Sequence, residues 1–214
     1  MESPRLILAS ASPRRRELLM QAGYEFEVHP ADIDEDDYPP QTLPADLAMR
    51  LAMLKAQALV PRFGQDVILA ADTVVAFGDI PLGKPENEDE AVKMLELLSG
   101  TTHVVITGVT ALRPATNFSI STKVMSAVRM RPWSQKEIHR YVASGDWKGK
   151  AGGYGIQDDR PDPFVTRLAG SHSNIVGLPM EATSELLSSA GILPRDGGQK
   201  SGFVIPMHKQ SIAI

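Results

Sequence analysis

The hydrophobic pattern of the chain alternates between the two-residue period of strands and the 3.6-residue period of helices, which predicts an α/β or α+β fold. Residues Arg5–Ala9 are typical of a buried strand, and a helix with Ser12 as its N-cap and Pro13 at its first position follows at once. We expect this helix to end at Gly23 and a second strand to occupy Tyr24–Val28. The chain therefore opens as strand, helix and strand.

The middle of the chain predicts a helix over Pro44–Val60, where apolar residues recur at helical spacing. A continuous apolar strand follows at Val67–Ala71, and we expect it to end at Asp72-Thr73. Val74–Phe77 then leads into a turn at Gly78-Asp79. The remaining predicted elements are a helix between Asn87 and Gly100, strands at His103–Leu112 and Ser119–Met130, a helix between Ser134 and Gly145, a strand at Phe164–Leu168 and a helix between Pro179 and Gly191.

The length of 214 residues corresponds to one domain of ordinary size or two small ones packed together. No linker-like stretch and no internal repeat divides the chain, so we expect a single domain over residues 1–194. Residues 195–214 contain several glycines and show no clear period. We therefore expect them to form a C-terminal extension.

Composition and charge exclude several classes of function. The 22 basic and 26 acidic residues give a formal net charge of −4, which argues against a polymeric nucleic acid as partner but leaves room for a small polyanion. The absence of cysteine excludes disulfides, thiolate nucleophiles and zinc–thiolate sites. No apolar run reaches the roughly 18 residues that span a bilayer, and no secretory pattern is present, so we expect a cytoplasmic protein without a membrane partner.

The segment between the first strand and the first helix is a candidate anion site. Backbone N–H groups are unpaired at a helix N-terminus, where Ser10 and Ser12 add hydroxyl groups and Arg14 and Arg15 add guanidinium groups that match phosphate oxygens. The alternative is an ordinary capped helix with a solvated basic first turn. Three arginines in that turn oppose the helix dipole, which favours the phosphate interpretation.

Three further positions could carry chemistry, although each has a structural alternative. Asp72 and Thr73 follow an apolar strand, where a carboxylate could hold a metal or activate water, or could simply end the strand. Lys55 lies beside the apolar stripe of its helix, and a lysine in that position usually extends its side chain to the surface. Lys84 lies on a stiff loop between Gly83 and Pro85, where lysines are also common.

A glycine-rich segment and an acidic loop complete the candidates. Lys150–Gln157 has three glycines in four positions, which allow close approach of a ligand, and Gln157 could bind the edge of a base; a flexible turn is the alternative. Glu35 belongs to an acidic loop that is either solvated or a source of Mg²⁺ ligands. The five histidines are scattered without metal-binding spacing.

Taken in order, these segments resemble the Maf family from about Arg5 to Leu193. The matching motifs are Leu8–Arg15, Ala71–Val75, Gly83–Pro85, Thr107–Val109, Lys150–Gln157 and Ser173–Pro179. The resemblance implies a mixed α/β fold with a central cleft, similar to that of the inosine triphosphatases. It also implies hydrolysis of a nucleoside triphosphate between the α and β phosphates with a divalent cation, Mg²⁺ or Mn²⁺, and a homodimer.

The resemblance also implies roles for individual residues. Asp72 matches the proton acceptor, with Glu35 near the metal. Three positions match those tied to substrate choice: Arg14, Thr73 and Gln157. Four match phosphate contacts: Ser10, Arg15, Lys55 and Lys84. The form Gly-Gly-Tyr-Gly-Ile-Gln resembles the subgroup that acts on dTTP and UTP, but Asp158 stands where the family usually has glycine.

Three other interpretations stay open at this point. A nucleotidyltransferase would also place an arginine after the first strand and release pyrophosphate. A non-catalytic nucleotide-binding regulator of cell division would bind without turnover. Alternatively, the charged residues could all belong to an ordinary protein surface.

Overall fold

A mixed β-sheet flanked by helices forms the framework of the protein. The computed structural model describes residues 4–156 and 164–195. In these ranges the strands are β1 (Leu6–Leu8), β2 (Glu27–Val28), β3 (Val67–Phe77), β4 (Ile80–Leu82), β5 (Thr102–Arg113), β6 (Phe118–Met130) and β7 (Val165–Ala169). The helices are α1 (Pro13–Gln21), α2 (Pro44–Ala58), α3 (Val60–Phe63), α4 (Glu88–Leu98), α5 (Gln135–Ser144), α6 (His172–Val176) and α7 (Met180–Ser189). The expected α/β class is confirmed.

The strand order β2-β1-β3-β5-β6-β7 creates a gap beside β3. Strand β1 pairs in parallel with residues 67–69 of β3, and β4 pairs antiparallel with residues 75–77 along the same edge. Among the described residues, no strand pairs with residues 70–74 on that edge. This gap positions the site, because the backbone of β3 is open there while β5 covers its other edge.

The prediction that a strand ends at Asp72-Thr73 is wrong. Strand β3 continues to Phe77, and β5 pairs with it through this region, with Asp72 opposite Gly108 and Thr73 opposite Thr107. The antiparallel ladder with β5 supplies the continuous pairing that a single strand sequence does not reveal. Asp72 therefore lies in the middle of a strand, beside the gap, rather than beyond a strand's carboxyl end.

Helix α2 packs directly on the face of the sheet that carries Asp72. A Cβ atom on Gly108 would lie 2.4 Å from the carbonyl oxygen of Ala48, so the absence of a side chain lets the helix backbone touch the sheet. Val74 and Ile106 pack with the helix on this face, in a cluster with Leu47, Ala48 and Leu51. The opposite face packs against α1 and α7 through a second cluster.

Local signals predicted the helix ends well. Helix α5 begins with the capping box of Ser134 and Glu137 and ends at Gly145, whose φ is 77°. Asn87 caps α4 by accepting a hydrogen bond from the Glu90 backbone N–H. In the predicted strand Tyr24–Val28 only the last two residues pair with β1. Helix α6 was not predicted, because its five residues are too few to show a helical period.

At the C-terminal end, Arg195 is the last described residue. Its backbone N–H donates to the Gly23 carbonyl, and its guanidinium pairs with Glu25. The expected extension otherwise falls outside the described residues, so the domain boundary at 194 stays a prediction. None of the helices within 4–156 and 164–195 is long and apolar enough to cross a membrane.

Candidate active site

The gap beside β3 opens into a cleft of about 410 Å³, within the size range of small-molecule sites. Nine of the site residues predicted from the sequence line this cleft: Ser10, Ser12, Arg14, Arg15, Glu35, Lys55, Asp72, Thr73 and Lys84. They come from the β1–α1 loop, helices α1 and α2, the acidic loop, β3 and the segment after β4. Gln157 and Asp158 lie outside the described residues.

Asp72 and Thr73 flank the gap from opposite faces of β3, because neighbouring side chains alternate along a strand. Asp72 faces α2, where its Oδ1 lies 2.5 Å from the Nζ atom of Lys55. Thr73 faces α1 and α6, where its Oγ1 accepts a hydrogen bond from Arg15. The two consecutive residues thus present different chemistry to the same cleft.

On the Asp72 side, oppositely charged groups form a continuous chain. Lys55 Nζ lies 2.5 Å from Asp72 and 2.8 Å from Glu35 Oε1, and Glu35 Oε2 lies 3.1 Å from Lys84 Nζ. The expectation that Lys55 extends to the surface is wrong, because its side chain is only 8% exposed and ends between two carboxylates. The side chain of Glu35, in the acidic loop, also lines the cleft.

The charges change the acidity of Glu35. Burial alone would raise the pKa of Glu35, but its hydrogen bonds to Lys55 and Lys84 and their positive charge outweigh that effect and lower the pKa. Glu35 is therefore a carboxylate at neutral pH. Two carboxylates, Asp72 and Glu35, thus converge on one ammonium group.

The carboxylates of Asp72 and Glu35 are the kind of ligand that divalent cations such as Mg²⁺ prefer. Asp72 and Glu35 supply hard oxygen ligands, and they already share a positive charge, the ammonium of Lys55. No group of three or more His, Cys, Asp or Glu residues is gathered in a metal-binding arrangement within the described ranges. A cation such as Mg²⁺ would therefore need phosphate oxygens and water as its other ligands, which is how Mg²⁺ is commonly bound.

At the other side of the cleft, the start of α1 keeps its polar groups available. Ser12 is the N-cap with an extended backbone, as predicted, but its hydroxyl makes no capping hydrogen bond within the described part of the chain. Its backbone N–H donates to the Ser10 hydroxyl instead, at 3.2 Å. The first turn contains no acidic residue, so the positive end of the helix dipole faces the cleft uncompensated.

Arg15 is held rigidly at the floor of the cleft by three hydrogen bonds. Its Nε donates to the Gly177 carbonyl (2.8 Å), and its two terminal nitrogens donate to Ser10 Oγ (3.3 Å) and Thr73 Oγ1 (3.0 Å). Burial lowers the pKa of Arg15, while the charge of Asp72 opposes the shift. An arginine stays protonated despite such shifts, so a fixed positive charge lies beside the start of α1.

The glycine-rich segment closes the cleft opposite α1. Arg14 donates a hydrogen bond to the Gly149 carbonyl, which joins the first motif to this segment. Lys148, Lys150 and Tyr154 also line the cleft; Lys150 and Tyr154 belong to the glycine-rich motif, whereas Lys148 was not among the predicted residues. The signal available for Lys148 was its position beside Gly149, whose φ of 68° is a backbone conformation that favours glycine and turns the chain at the edge of the cleft.

Behind Tyr154 lies a buried histidine. The Tyr154 hydroxyl and Nε2 of His103 are 2.6 Å apart, and the rings meet edge to face. Burial lowers the pKa of His103 to about 4, so the ring is neutral at pH 7. His103 is therefore a structural support of the glycine-rich segment.

Comparisons with known proteins agree with this geometry. A family model described as Maf-like protein matches residues 5–190. The chain is 49% identical over 189 residues to a dTTP/UTP pyrophosphatase of Maricaulis maris, covering 88% of this chain and 89% of that protein. It is 50% identical over 187 residues to a dTTP/UTP pyrophosphatase of Hyphomonas neptunium, covering 87% and 95%. For one from Caulobacter vibrioides the identity is 46% over 192 residues, covering 89% and 98%.

Among solved structures, a HAM1 protein from Coxiella burnetii superimposes with a TM-score of 0.50 at 16% identity, over 87% of this chain and 100% of that one. At this identity the likeness concerns the fold alone, and it agrees with the observed mixed sheet. The family model spans nearly the whole described chain, and the relatives are close to half identical. The chain belongs to the Maf family.

Proposed function

We propose that this protein is a nucleoside triphosphate pyrophosphatase that hydrolyses dTTP and UTP to the nucleoside monophosphate and pyrophosphate. The observation that carries the proposal is the convergence of Arg14, Arg15, Lys55 and Lys84 around the nearly buried carboxylate of Asp72 in one cleft. The similarity to relatives named dTTP/UTP pyrophosphatases supports the choice of substrate.

The cleft has the charges needed to bind a triphosphate. A nucleoside triphosphate carries about four negative charges near neutral pH, and these must be neutralised before water can attack phosphorus. Arg15 contributes the guanidinium N–H groups that its three protein hydrogen bonds leave unused. Lys84 is half exposed and can reach a phosphate tail that extends toward solvent.

Asp72 is the proposed proton acceptor. Water attacks the α phosphorus, a new P–O bond forms, the bond to the bridging oxygen breaks, and pyrophosphate leaves with the electron pair of that bond. The proton of the attacking water passes to the Asp72 carboxylate. Its side chain is 7% exposed, so the proton transfer takes place in a site that excludes most bulk water.

Asp72 and Glu35 are the residues proposed to hold the divalent cation, Mg²⁺ or Mn²⁺. The support is that both carboxylates face the same point, which the ammonium of Lys55 now occupies between them. When bound, such a cation supplies positive charge to the phosphate oxygens and to the leaving pyrophosphate. Lys55 then becomes available to contact phosphate.

Choice of base is assigned to Arg14, Thr73 and Gln157. Arg14 contacts the glycine-rich segment through the Gly149 carbonyl, so its position depends on the loop that precedes Gln157. Thr73 lines the cleft beside Arg15, from which its hydroxyl accepts a hydrogen bond. The homodimer and the cytoplasmic location stay predictions; sedimentation equilibrium would test the first and fractionation of cells the second.

A turnover panel of canonical and modified triphosphates with Mg²⁺ tests the proposal. We expect dTTP and UTP to give monophosphate and pyrophosphate in the absence of any acceptor. Release of a nucleotide conjugate only when an acceptor is present would identify a nucleotidyltransferase instead. Binding without turnover of any triphosphate would identify a regulator.

The variant Asp72→Asn should lose activity by at least about 10²-fold while it still binds nucleotide, because it keeps the shape and loses the base. Asp79→Asn is the matched control, since Asp79 is an exposed carboxylate in the turn that ends the same strand. Equal activity of the two variants would remove Asp72 from the reaction.

A further inference from the structure

A buried row of hydroxyl groups runs from Arg15 along one face of the sheet to α6. The terminal nitrogen of Arg15 donates to Thr73 Oγ1 (3.0 Å), and Thr73 Oγ1 lies 2.9 Å from Thr107 Oγ1. Thr107 Oγ1 donates to the Asn174 carbonyl at 3.2 Å. Thr107 and Asn174 are completely buried, and Thr107 does not line the cleft.

The chemistry of the two ends fixes the direction of every hydrogen bond in this row. A guanidinium can only donate, so Thr73 accepts from Arg15, and a backbone carbonyl can only accept, so Thr107 donates to Asn174. Each hydroxyl has a single proton. Thr107 has used its proton, so the short contact between the two threonines requires Thr73 to donate to Thr107.

The far end of the row is anchored. The Asn174 side chain donates to the Val105 carbonyl at 3.0 Å and to Ser126 Oγ at 2.9 Å, and these groups belong to β5 and β6. Asn174, whose carbonyl accepts the hydrogen bond from Thr107, is therefore fixed to the sheet. Thr107 connects this fixed point to the cleft.

Without the Thr107 hydroxyl, Thr73 has one other acceptor. That acceptor is the Gly177 carbonyl, 3.4 Å away, which already receives the Nε–H of Arg15 at 2.8 Å. Turning the Thr73 proton toward Gly177 would place two donors on one carbonyl. The carbonyl has a second lone pair for the new donor, but the turn also moves the Thr73 lone pair that accepts from Arg15, so it disturbs the Arg15–Thr73 hydrogen bond and the orientation of the guanidinium.

We propose that Thr107 is a positioning residue, which sets the orientation of the Thr73 hydroxyl and thereby that of the Arg15 guanidinium toward the triphosphate. This inference rests on the proposed function for the identity of the ligand. Thr107 itself touches no substrate, since Thr73 separates it from the cleft.

Thr107→Val tests the inference, because valine keeps the shape and removes the hydroxyl. Thr110→Val is the matched control: Thr110 is equally buried on the same strand, and its hydroxyl bonds Ser121 away from the cleft. We expect kcat/KM for dTTP to fall by about ten- to hundredfold in Thr107→Val and to stay near the parent value in Thr110→Val, because small misplacements of a charged group cost that much. Thr107→Ser, which restores the hydroxyl, should recover most of the activity.

A second measurement does not depend on activity. Hydrogen exchange of the Arg15 Nε–H group is followed by NMR, with the resonance assigned by its loss in Arg15→Lys. We expect faster exchange in Thr107→Val than in the parent and in Thr110→Val, because a weakened hydrogen bond to Thr73 leaves the Arg15 guanidinium less firmly held against the Gly177 carbonyl. If Thr107→Val does not fold, Thr107→Ala removes the same hydroxyl and takes its place.

The outcomes separate the two proposals. If the parent hydrolyses dTTP and Thr107→Val matches Thr110→Val in both kcat/KM and exchange, the positioning role is wrong and the proposed function stands. If the parent hydrolyses no triphosphate, the proposed function is wrong, and the exchange rates alone decide whether Thr107 positions Arg15.

Discussion

The buried ammonium of Lys55 makes a quantitative prediction about stability. Its side chain is 8% exposed and pairs with Asp72, which is 7% exposed, so removing it leaves a buried carboxylate without its counter-charge. Breaking a buried pair by removing one partner typically costs about 3–5 kcal/mol. We therefore expect Lys55→Met, which keeps the apolar stem, to lower the free energy of unfolding by about that amount at pH 7.

Lys84→Met is the matched control in the same charge chain. The side chain of Lys84 is 50% exposed, and its single carboxylate partner, Glu35, keeps Lys55 when Lys84 is removed. Exposed pairs contribute about 0–1 kcal/mol, so Lys84→Met should change the free energy of unfolding by no more than this. Both variants remove one positive charge, but the lysine and its Asp72 partner are buried in one case, whereas in the other the lysine is half exposed and its partner Glu35 keeps a second lysine.

Urea denaturation at pH 7, followed by circular dichroism, measures the difference between the two variants. The double variant Lys55→Met with Asp72→Asn should recover part of the loss, because the unpaired charge is gone. Equal loss of stability in Lys55→Met and Lys84→Met would refute the reasoning, since it would mean that the Lys55–Asp72 pair is solvated like a surface pair.

Two further predictions concern packing and pH. Gly108→Ala should lower the free energy of unfolding by about 1–3 kcal/mol or more, because the new Cβ would lie 2.4 Å from the Ala48 carbonyl oxygen. Gly83→Ala is the control: a Cβ there would meet no atom within 4 Å, so the free energy of unfolding should change by less than about 0.5 kcal/mol. Thermal unfolding measures both variants. His103 has a pKa of about 4 in the folded protein and 6.5 in the unfolded chain, so the unfolded chain binds the extra proton and stability falls as pH drops below 6.5. His103→Gln should remove about 1.5 kcal/mol of the loss between pH 6.5 and 5, measured by urea denaturation; an unchanged pH dependence would show that the ring is not buried neutral.

Local chemistry explains which elements could be predicted from the sequence. Helix ends depend on near neighbours, and the capping box at Ser134 and the glycine at Gly145 lie within the helix they limit. The continuation of β3 through Asp72 depends on pairing with β5, more than thirty residues away, which no local pattern contains. Helix α6 is too short to show a period, although its Asn174 organises much of the buried polar row.

In the candidate site, too, some residues could be assigned from the local sequence, whereas others depend on distant segments. The residue types at Arg14, Lys84 and Asp72 indicated phosphate chemistry from the sequence, and the fold gathers them in one cleft. Lys55 could not be assigned from its helix alone, because its inward direction is set by the carboxylates of two other segments. Thr107 belongs to a motif of the family resemblance, but its contact with Thr73 could not be predicted, because a threonine in a strand is ordinary until its neighbours are known.

The central claim is that water attacks the α phosphorus of a bound triphosphate. Hydrolysis of dTTP in H₂¹⁸O, with the products analysed by mass spectrometry, tests it most directly. The oxygen of the attacking water stays on the phosphorus that it attacks, so we predict that the label appears in the thymidine monophosphate and is absent from the pyrophosphate. Label in the pyrophosphate would show attack at the β phosphorus and would contradict the account.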